Sequence, residues 1–275
     1  MAVDLHIHTT ASDGSLTPEE IVRRAEQLNY KAIAITDHDT VDGLKKALNE
    51  AQKSNLEVIP GLEINTQYDG HEVHILGYYI DYKDPDLLAR LDYYKELRMK
   101  RVEKIVDKLE NMGFEINMND VLEFAKGPAI GRSHIARALN KRGYVDSTSE
   151  AFDKYIGIGK PAYVNRERMS PEESINLIKQ CGGIPVLAHP GLIGSDQIVK
   201  KIIEFGIMGL EVFYYEHSKE QEEKYRTMAR DNSLILTGGS DDHGPGNKDG
   251  FRLGKIRLDY KLIEKMKECI NQTSS

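Results

Sequence analysis

The sequence has no tryptophan, only two cysteines and no long apolar run. Cys181 and Cys269 lie far apart, so we expect two packed thiols in a reducing compartment and no disulfide framework. No apolar stretch approaches the roughly 20 residues that cross a bilayer. The first ten residues also lack the basic-then-apolar order of a signal peptide. The composition therefore predicts a cytoplasmic protein with no membrane partner.

The chain also lacks an excess of positive charge. Its formal net charge is −7, from 37 basic and 44 acidic residues. A protein that coats nucleic acid normally shows a basic face, so we expect no stable binding to duplex nucleic acid. A phosphorylated substrate is still compatible with this charge, because bound divalent cations can reverse the local sign inside an acidic protein.

Short apolar runs alternate with amphipathic helical stretches over most of the chain. This alternation predicts an α/β fold with a mainly parallel sheet, either open or closed into a barrel. Between residues 84 and 169 the pattern changes to consecutive helices, the first of them long and highly charged. We therefore divide the chain into a sheet domain, residues 1–83 and 170–275, and a helical insertion, residues 84–169.

The first motif that indicates chemistry is Asp4-Leu5-His6-Ile7-His8. Alternate residues of a strand share a face, so Asp4, His6 and His8 point one way, where the two imidazoles can share one cation. Asp13 adds a carboxylate on the following turn, and Asp4 is placed to orient a ligand. The competing interpretation is an exposed strand end with histidines present by chance.

Candidate metal ligands also stand at the ends of other strands. His38 follows the strand KAIAIT, and at least five of the nine histidines fall at or just after a strand. Taken singly, each motif has a simpler explanation; Asp37 and Asp39, for example, are good helix caps. Together they predict a metal site at the carboxyl end of a sheet. The further candidate ligands are Glu63, His74, His189, Asp241 and His243.

The motifs DLHIHTTASDG, ITDHD, GLEIN, AHP and GGSDDHG, with the isolated His74, resemble those of the PHP (polymerase and histidinol phosphatase) superfamily. The resemblance covers nearly the whole chain, and the insertion motif GRSHIA is similar to that of its compact stand-alone phosphoesterases. That subgroup includes 3′,5′-nucleoside bisphosphate phosphatases and 5′-to-3′ exoribonucleases of short RNA. The resemblance implies a distorted seven-stranded (β/α) barrel, the PHP fold, with a helical insertion.

The resemblance also implies two to three divalent metal ions. One would take His6, His8, Glu63 and Asp241. A second would share Glu63 and add His74 and His189, and a third would be bound by Asp13, His38 and His243. Such mixed nitrogen and oxygen ligands suit manganese, iron or zinc, and the residues do not choose among these metals.

The reaction can be argued from the residues as well. Hydrolysis of a phosphate ester needs a nucleophile at neutral pH and neutralised phosphoryl oxygens, and clustered metals supply both. We therefore expect a metal-bridging hydroxide as the nucleophile, with Glu63, Asp241 and His38 acting through the metals. Cys181 and the serines lack an evident base partner, which makes covalent catalysis the lesser interpretation.

Substrate contacts are predicted mainly from the insertion. The resemblance suggests that Arg132 and His134, which open a helix, contact the substrate phosphate, although Ser133 stands where many relatives have proline. Without the resemblance, a surface arginine would be the better interpretation. Arg101 and Lys160 could bind a further phosphate or could be ordinary solvated charges. His217 could donate a proton to the substrate or simply begin a helix.

These patterns predict a metal-dependent phosphoesterase that acts on a 3′,5′-nucleoside bisphosphate or on the 5′ end of short RNA or DNA, as a phosphatase or a 5′-3′ exonuclease. Within the same class, the alternative is a histidinol-phosphate-type phosphatase. A different class is a non-catalytic, metal-stabilised module of a larger complex. A metal-dependent amidohydrolase is less favoured, because it often uses a carboxylated lysine where Glu63 stands here.

Overall fold

The structure is a computed structural model that describes residues 1–124, 130–245 and 250–273. The chain divides into two compact units. The first contains residues 1–88 and 168–275, and the second contains residues 89–167. The predicted insertion, residues 84–169, includes all of the second unit.

The first unit is built on one sheet, with the strand order β7-β6-β5-β4-β3-β2-β1-β8. Beyond β1, the Leu5 N–H donates to the Gly238 carbonyl at 3.2 Å, and Ile7 pairs in parallel with Asp242. These contacts join β1 to β7, so the predicted distorted seven-stranded barrel is confirmed as a nearly closed barrel, with the short β8 added beside β1. The strands are β1 (Ala2–Asp4), β2 (Tyr30–Ile35), β3 (Glu57–Tyr68), β4 (His71–Tyr78), β5 (Ile184–Leu187), β6 (Gly209–Tyr214), β7 (Ile235–Gly239) and β8 (Leu258–Asp259).

Strand β4 departs from the predicted parallel arrangement. It runs antiparallel to both β3 and β5, whereas β1-β2-β3 and β5-β6-β7 are parallel. The cause is the tight turn at Asp69-Gly70, where both residues have positive φ, 46° and 80°. An Asp-Gly pair with two positive φ angles is a strong hairpin signal, which the strand–helix alternation obscured.

Helix α1 begins with a capping box. The Thr17 side chain accepts from the Glu20 N–H, and the Glu20 side chain accepts from the Thr17 N–H. Among the described residues, no helix is long and apolar enough to cross a bilayer. The first unit contains α1 (Pro18–Gln27), α2 (Leu44–Ala51), α7 (Pro171–Gln180), α8 (Asp196–Glu204), α9 (Lys219–Asp231), α10 (Lys261–Thr273) and the beginning of α3 (Pro85–Asn111).

The second unit is helical and has a core of its own. It contains most of α3, followed by α4 (Met118–Leu122), α5 (Arg132–Lys141), α6 (Thr148–Ala151) and a π-helical segment, Phe152–Ile156. Buried residues of α3, such as Val102, Ile105 and Leu109, pack in one cluster with Ile135 and Leu139 of α5. Burial of such side chains stabilises a fold by about 1.5–3 kcal/mol each.

Barrel closure depends on two glycines at the end of β7. A Cβ added to Gly239 would lie 2.4 Å from both the backbone nitrogen and the Cβ of His6. One added to Gly238 would lie 2.4 Å from the carbonyl oxygen of Phe213. Any larger residue at these positions would therefore push β7 away from β1 or β6, and the strand ends would move apart.

We expect Gly239→Ala to lower the free energy of unfolding by about 3 kcal/mol, because the added methyl overpacks a site bounded by backbone. Gly70→Ala is the matched control: its added Cβ meets nothing within 4 Å, so it costs only the left-handed backbone strain of about 1 kcal/mol. Urea unfolding of both variants measures the difference. Equal losses would show that the β7–β1 contact is not tight.

Candidate metal centre

The predicted ligands converge at one end of the barrel. His6 and His8 follow β1, His38 follows β2, Glu63 lies within β3, His74 lies in the first half of β4, and His189 follows β5. Because β4 is antiparallel, its first half lies at the end where the parallel strands finish. Asp241 and His243 follow β7 and complete the set.

Four side chains form the first cluster, His6, His8, Glu63 and Asp241. The Nε2 of His6 lies 3.3 Å from Glu63 Oε2 and 3.4 Å from Asp241 Oδ1. The Nε2 of His8 lies 3.4 Å and 3.0 Å from the same two oxygens. Tetrahedral ligands at about 2.05 Å from a metal are separated by about 1.6 times that distance, or about 3.3 Å. These four distances are therefore close to those between ligands of one bound ion.

Glu63 also belongs to the second cluster, His38, Glu63 and His74. Its Oε2 lies 2.9 Å from His38 Nδ1, and its Oε1 lies 2.9 Å from His74 Nδ1. His189 Nε2 is 3.1 Å from the same Oε1. The fully buried Glu63 carboxylate thus faces five histidines from four strands, His6, His8 and His38 at Oε2 and His74 and His189 at Oε1.

The third cluster contains His8, Asp13, His38 and His243. Asp13 is half-exposed, and its carboxylate lies 3.4 Å from His243 Nε2, 3.8 Å from His8 Nδ1 and 3.9 Å from His38 Nε2. The rings of His8 and His243 stack with centroids 4.1 Å apart. Compared with the ligand sets drawn from the resemblance, the structure brings all nine residues together but places His8 and His38 in two clusters each.

Several atoms of these clusters are better placed to bind a cation than to form hydrogen bonds with one another. Seven buried atoms of these side chains lack a hydrogen-bond partner among the residues that the structure describes: His6 Nε2, both ring nitrogens of His8, His38 Nδ1, Glu63 Oε2, His74 Nε2 and His189 Nδ1. An unsatisfied buried polar atom costs about 1–3 kcal/mol. Nitrogen and carboxylate lone pairs that converge without hydrogen-bond geometry are the donor set for a divalent cation of the manganese, iron or zinc type.

Carboxylates next to the ligands hold the loops in place. Asp37 accepts from the Thr9 N–H at 2.7 Å, the Thr9 hydroxyl at 2.7 Å and the Ser12 hydroxyl at 2.6 Å. It therefore orders the turn that carries Asp13. Asp39 accepts from the backbone and side-chain amides of Asn65. Neither aspartate acts as the helix cap that the sequence alone suggested.

Two residues of β6 escaped the sequence analysis. Glu211 is fully buried, and its Oε1 lies 2.9 Å from His6 Nδ1. The Tyr214 hydroxyl donates to Asp241 Oδ2 at 3.0 Å. Asp4, which was predicted to orient a ligand, accepts from the backbone N–H groups of His6 and Ser240. The available signal was a glutamate inside the apolar run GLEVFY, since a buried charge needs a partner.

The histidines of the site differ in pKa, because their charged neighbours differ. Burial lowers the pKa of His8 to about 3, assisted by repulsion from His243 and His38. For His38 burial has the same tendency, but the Glu63 and Asp13 carboxylates outweigh it and raise the pKa to about 9. His243 also reaches about 9, because its contact with Asp13 overcomes burial. In the metal-free protein, His8 is therefore neutral at pH 7, while His38 and His243 are protonated.

The predicted substrate residue His217 has both ring nitrogens engaged. Nδ1 lies 2.9 Å from the Val212 carbonyl oxygen, and Nε2 accepts from the Gly191 N–H at 3.1 Å. A Cβ on Gly191 would lie 2.6 Å from the His217 ring. His217 thus holds the loop that follows His189, and helix α9 begins after it, at Lys219. Nothing in this geometry presents a free nitrogen to a substrate.

The other predicted substrate residues belong to the second unit. The guanidinium groups of Arg132 and Arg101 lie 5.6 Å and 5.9 Å from the centroid of the same ring, Tyr163. His134 Nδ1 accepts from the Gly131 N–H at 3.0 Å and so caps α5 with one nitrogen. Lys160 is exposed. The structure therefore brings Arg101 and Arg132 together on one aromatic side chain.

A barrel that gathers histidines and carboxylates into three groups that could hold a metal ion is the arrangement expected of a metal-dependent hydrolase. The family model of the PHP domain matches residues 4–271, and the chain belongs to this family. It is 36% identical over 249 residues to the 5′-3′ exoribonuclease Rnm of Escherichia coli, covering 88% of this chain and 85% of that protein.

Two further comparisons agree. The chain is 35% identical over 250 residues to the 3′,5′-nucleoside bisphosphate phosphatase of Chromobacterium violaceum, covering 89% of this chain and 88% of that protein. A solved Bifidobacterium adolescentis structure, assigned to the metal-dependent phosphoesterases, superposes with a TM-score of 0.79 at 31% identity, covering 96% of this chain and 94% of that one. The protein is accordingly a metal-dependent phosphoesterase, and a non-catalytic role is not favoured.

We expect stability and metal affinity to change in opposite directions with pH. The pKa of His38 and of His243 is about 9 in the folded metal-free protein, against an ordinary value near 6.5. The stability that they contribute is therefore fully present below about pH 6.5 and is lost as the pH rises through about 9. Metal ligands must lose their protons, so the apparent metal affinity should rise over the same range, about tenfold per pH unit for each released proton.

The measurements are urea midpoints of chelator-treated protein and calorimetric manganese titrations at pH 6.5, 8 and 9.5. His38→Gln is the matched variant, because it cannot take up the proton and should lose less stability between these pH values. A metal-free protein whose midpoint rises from pH 6.5 to 9.5 would contradict the proton assignment.

Proposed function

We propose that the protein hydrolyses phosphate esters of nucleotides, either a 3′,5′-nucleoside bisphosphate or the 5′ end of a short RNA or DNA strand. The observation that carries the proposal is the sharing of Glu63 between two of the three ligand clusters. Such clusters hold divalent ions close enough together to act on one phosphoryl group. The relatives named as exoribonuclease and as nucleoside bisphosphate phosphatase support a nucleotide substrate.

Two to three ions are proposed, of manganese, iron or zinc. The first would be held by His6, His8, Glu63 and Asp241, and the others by the second and third clusters, with His189 beside the second. When bound, such ions supply a nucleophilic water at neutral pH and neutralise the phosphoryl oxygens. Glu63, Asp241 and His38 would thus act through the metals that they would hold.

The helical unit is proposed to recognise the substrate. Arg132 begins α5, where its fork of donors joins the N–H groups of a helix amino end. Its guanidinium lies against Phe152 and Tyr163, and its Nη1 donates to the Ile156 carbonyl, which together fix its direction. Arg101, His134 and Lys160 are proposed as supporting contacts, whereas the bonds of His217 favour a structural role.

The first experiment measures phosphate and nucleotide release from 3′,5′-bisphosphoadenosine, a 5′-phosphorylated short RNA and histidinol phosphate, each with added manganese. We expect Glu63→Gln to lower activity by at least about a hundredfold, because it disrupts two clusters. Glu57→Gln is the control: it lies on the same strand, but its carboxylate contacts Tyr260 and Lys267 instead. It should retain activity.

The products separate a phosphatase from an exonuclease, since inorganic phosphate and mononucleotides are different signals. Hydrolysis of histidinol phosphate alone would favour the histidinol-phosphate alternative. A manganese-loaded wild-type protein that hydrolyses none of the three would contradict the nucleotide assignment.

We expect Arg132→Ala to raise KM for the preferred substrate by about 10- to 100-fold, because a hydrogen bond to a charged group is worth about 1.5–3 kcal/mol. Metal content should not change. Arg137→Ala is the matched control, since it removes an exposed arginine from the same helix. A KM that is unchanged in Arg132→Ala, or is raised equally in both variants, would remove Arg132 from the substrate site.

A further inference from the structure

Strand β6 is an exception among the seven strands of the barrel. The other six each supply at least one of the nine predicted ligands, at or near the strand end, whereas β6 supplies none. It nevertheless lies between β5 and β7, which carry His189 and Asp241. The side chains that β6 directs toward the site are Glu211 and Tyr214.

A bulge explains how both side chains reach the site. In a regular strand, residues three apart point to opposite faces. The pairing of β6 with β7 shifts between Glu211 and Phe213, so that Glu211 pairs with Thr237 and Tyr214 pairs with Gly239. The extra residue, Val212, restores the face for Tyr214, as bulges beside active sites commonly do.

Glu211 contacts ligands from two strands. Its Oε1 lies 2.9 Å from His6 Nδ1, and its Oε2 accepts from the His189 N–H at 2.8 Å. A carboxylate can only accept here, so His6 must carry its proton on Nδ1, which leaves Nε2 to face Glu63 and Asp241. His189 has a positive φ of 25°, and the bond to its N–H helps to hold that uncommon backbone.

Tyr214 acts on a third ligand. Its hydroxyl donates to Asp241 Oδ2 at 3.0 Å, while Asp241 Oδ1 faces His6 and His8 at 3.4 Å and 3.0 Å. Asp241 also has a positive φ, 51°. Oδ2 of Asp241 is therefore held by the Tyr214 hydroxyl, and Oδ1 is left to face the first cluster.

We infer that β6 is a positioning strand: Glu211 and Tyr214 bind no metal themselves, but set the tautomer of His6, the backbone of His189 and the rotation of Asp241 for metal binding. The inference rests on the proposed metal centre. Partners of this kind typically change metal affinity or activity by about 10- to 100-fold.

The most discriminating substitution is Glu211→Gln, which keeps the shape of the side chain and replaces one acceptor oxygen with an amide donor. If its carbonyl oxygen faces His6, its amide meets the His189 N–H, donor against donor. If its amide faces His6 instead, the ring must move its proton to Nε2, where the metal should bind. Either arrangement impairs the first or the second cluster without leaving a cavity.

Each variant has a matched comparator. Asp4→Asn also neutralises a fully buried carboxylate near the site, but the hydrogen bonds that Asp4 accepts among the described residues come from the backbone N–H groups of His6 and Ser240, not from a histidine ring. Tyr214→Phe removes one hydroxyl, and Tyr30→Phe removes the hydroxyl of another buried tyrosine, which donates to the Ile256 carbonyl. The readouts are the melting temperature without metal, the Mn²⁺ dissociation constant by calorimetry, and the visible spectrum of the Co²⁺-loaded protein.

We expect Glu211→Gln and Tyr214→Phe to weaken Mn²⁺ binding by about 10- to 100-fold and to change the Co²⁺ spectrum. The comparators should bind Mn²⁺ within about threefold of the wild type, while the metal-free melting temperatures shift similarly within each pair. Wild-type affinity in either test variant, or equal weakening in its comparator, overturns the assignment of that residue.

Two other outcomes are also decisive. A Glu211→Gln protein that does not fold without metal overturns the Glu211 part, and the milder Tyr214→Phe then decides the Tyr214 part. A wild-type protein that binds no Mn²⁺ overturns the metal centre itself, which separates failure of the proposed function from failure of this inference.

Discussion

The structure depends on the burial of the Glu63 carboxylate. A carboxylate without solvent needs compensation, and here burial is opposed chiefly by His38, His6 and His74, which hold the pKa of Glu63 well below its usual range. Those histidines reach it from β1, β2 and β4. A closed sheet is the arrangement that lets so many strand ends face one side chain. The barrel therefore brings together the histidines that stabilise the buried charge of Glu63.

The ligands were predictable because their signals are local. His6 and His8 share a face by strand geometry alone, and His38, His189 and His243 stand within a few residues after runs that the sequence marks as strands. The barrel and its seven strands came from the resemblance, since alternation of strands and helices left an open sheet equally acceptable. What could not be predicted was how the ligands group, because the distances among them are set by closure.

The missed features depend on distant contacts. Glu211 and His6 are separated by 205 positions, and no pattern near either residue indicates the pair. The bulge that turns Tyr214 inward exists only in the pairing with β7, so it cannot be seen in β6 alone. The partners of Asp4 could not be predicted either, because strand alternation gives the face of a side chain but not the groups that it contacts. The antiparallel β4, by contrast, had a local signal in Asp69-Gly70.

Closure between β1 and β7 has a consequence for biosynthesis. Asp4 on the first strand accepts from the N–H of Ser240, 236 residues later, and Ile7 pairs with Asp242. During translation, His6 and His8 therefore emerge long before Asp241 and His243 are made. The first cluster cannot assemble until the last barrel strand has left the ribosome, so an ion proposed for it would bind only after the whole barrel has been translated.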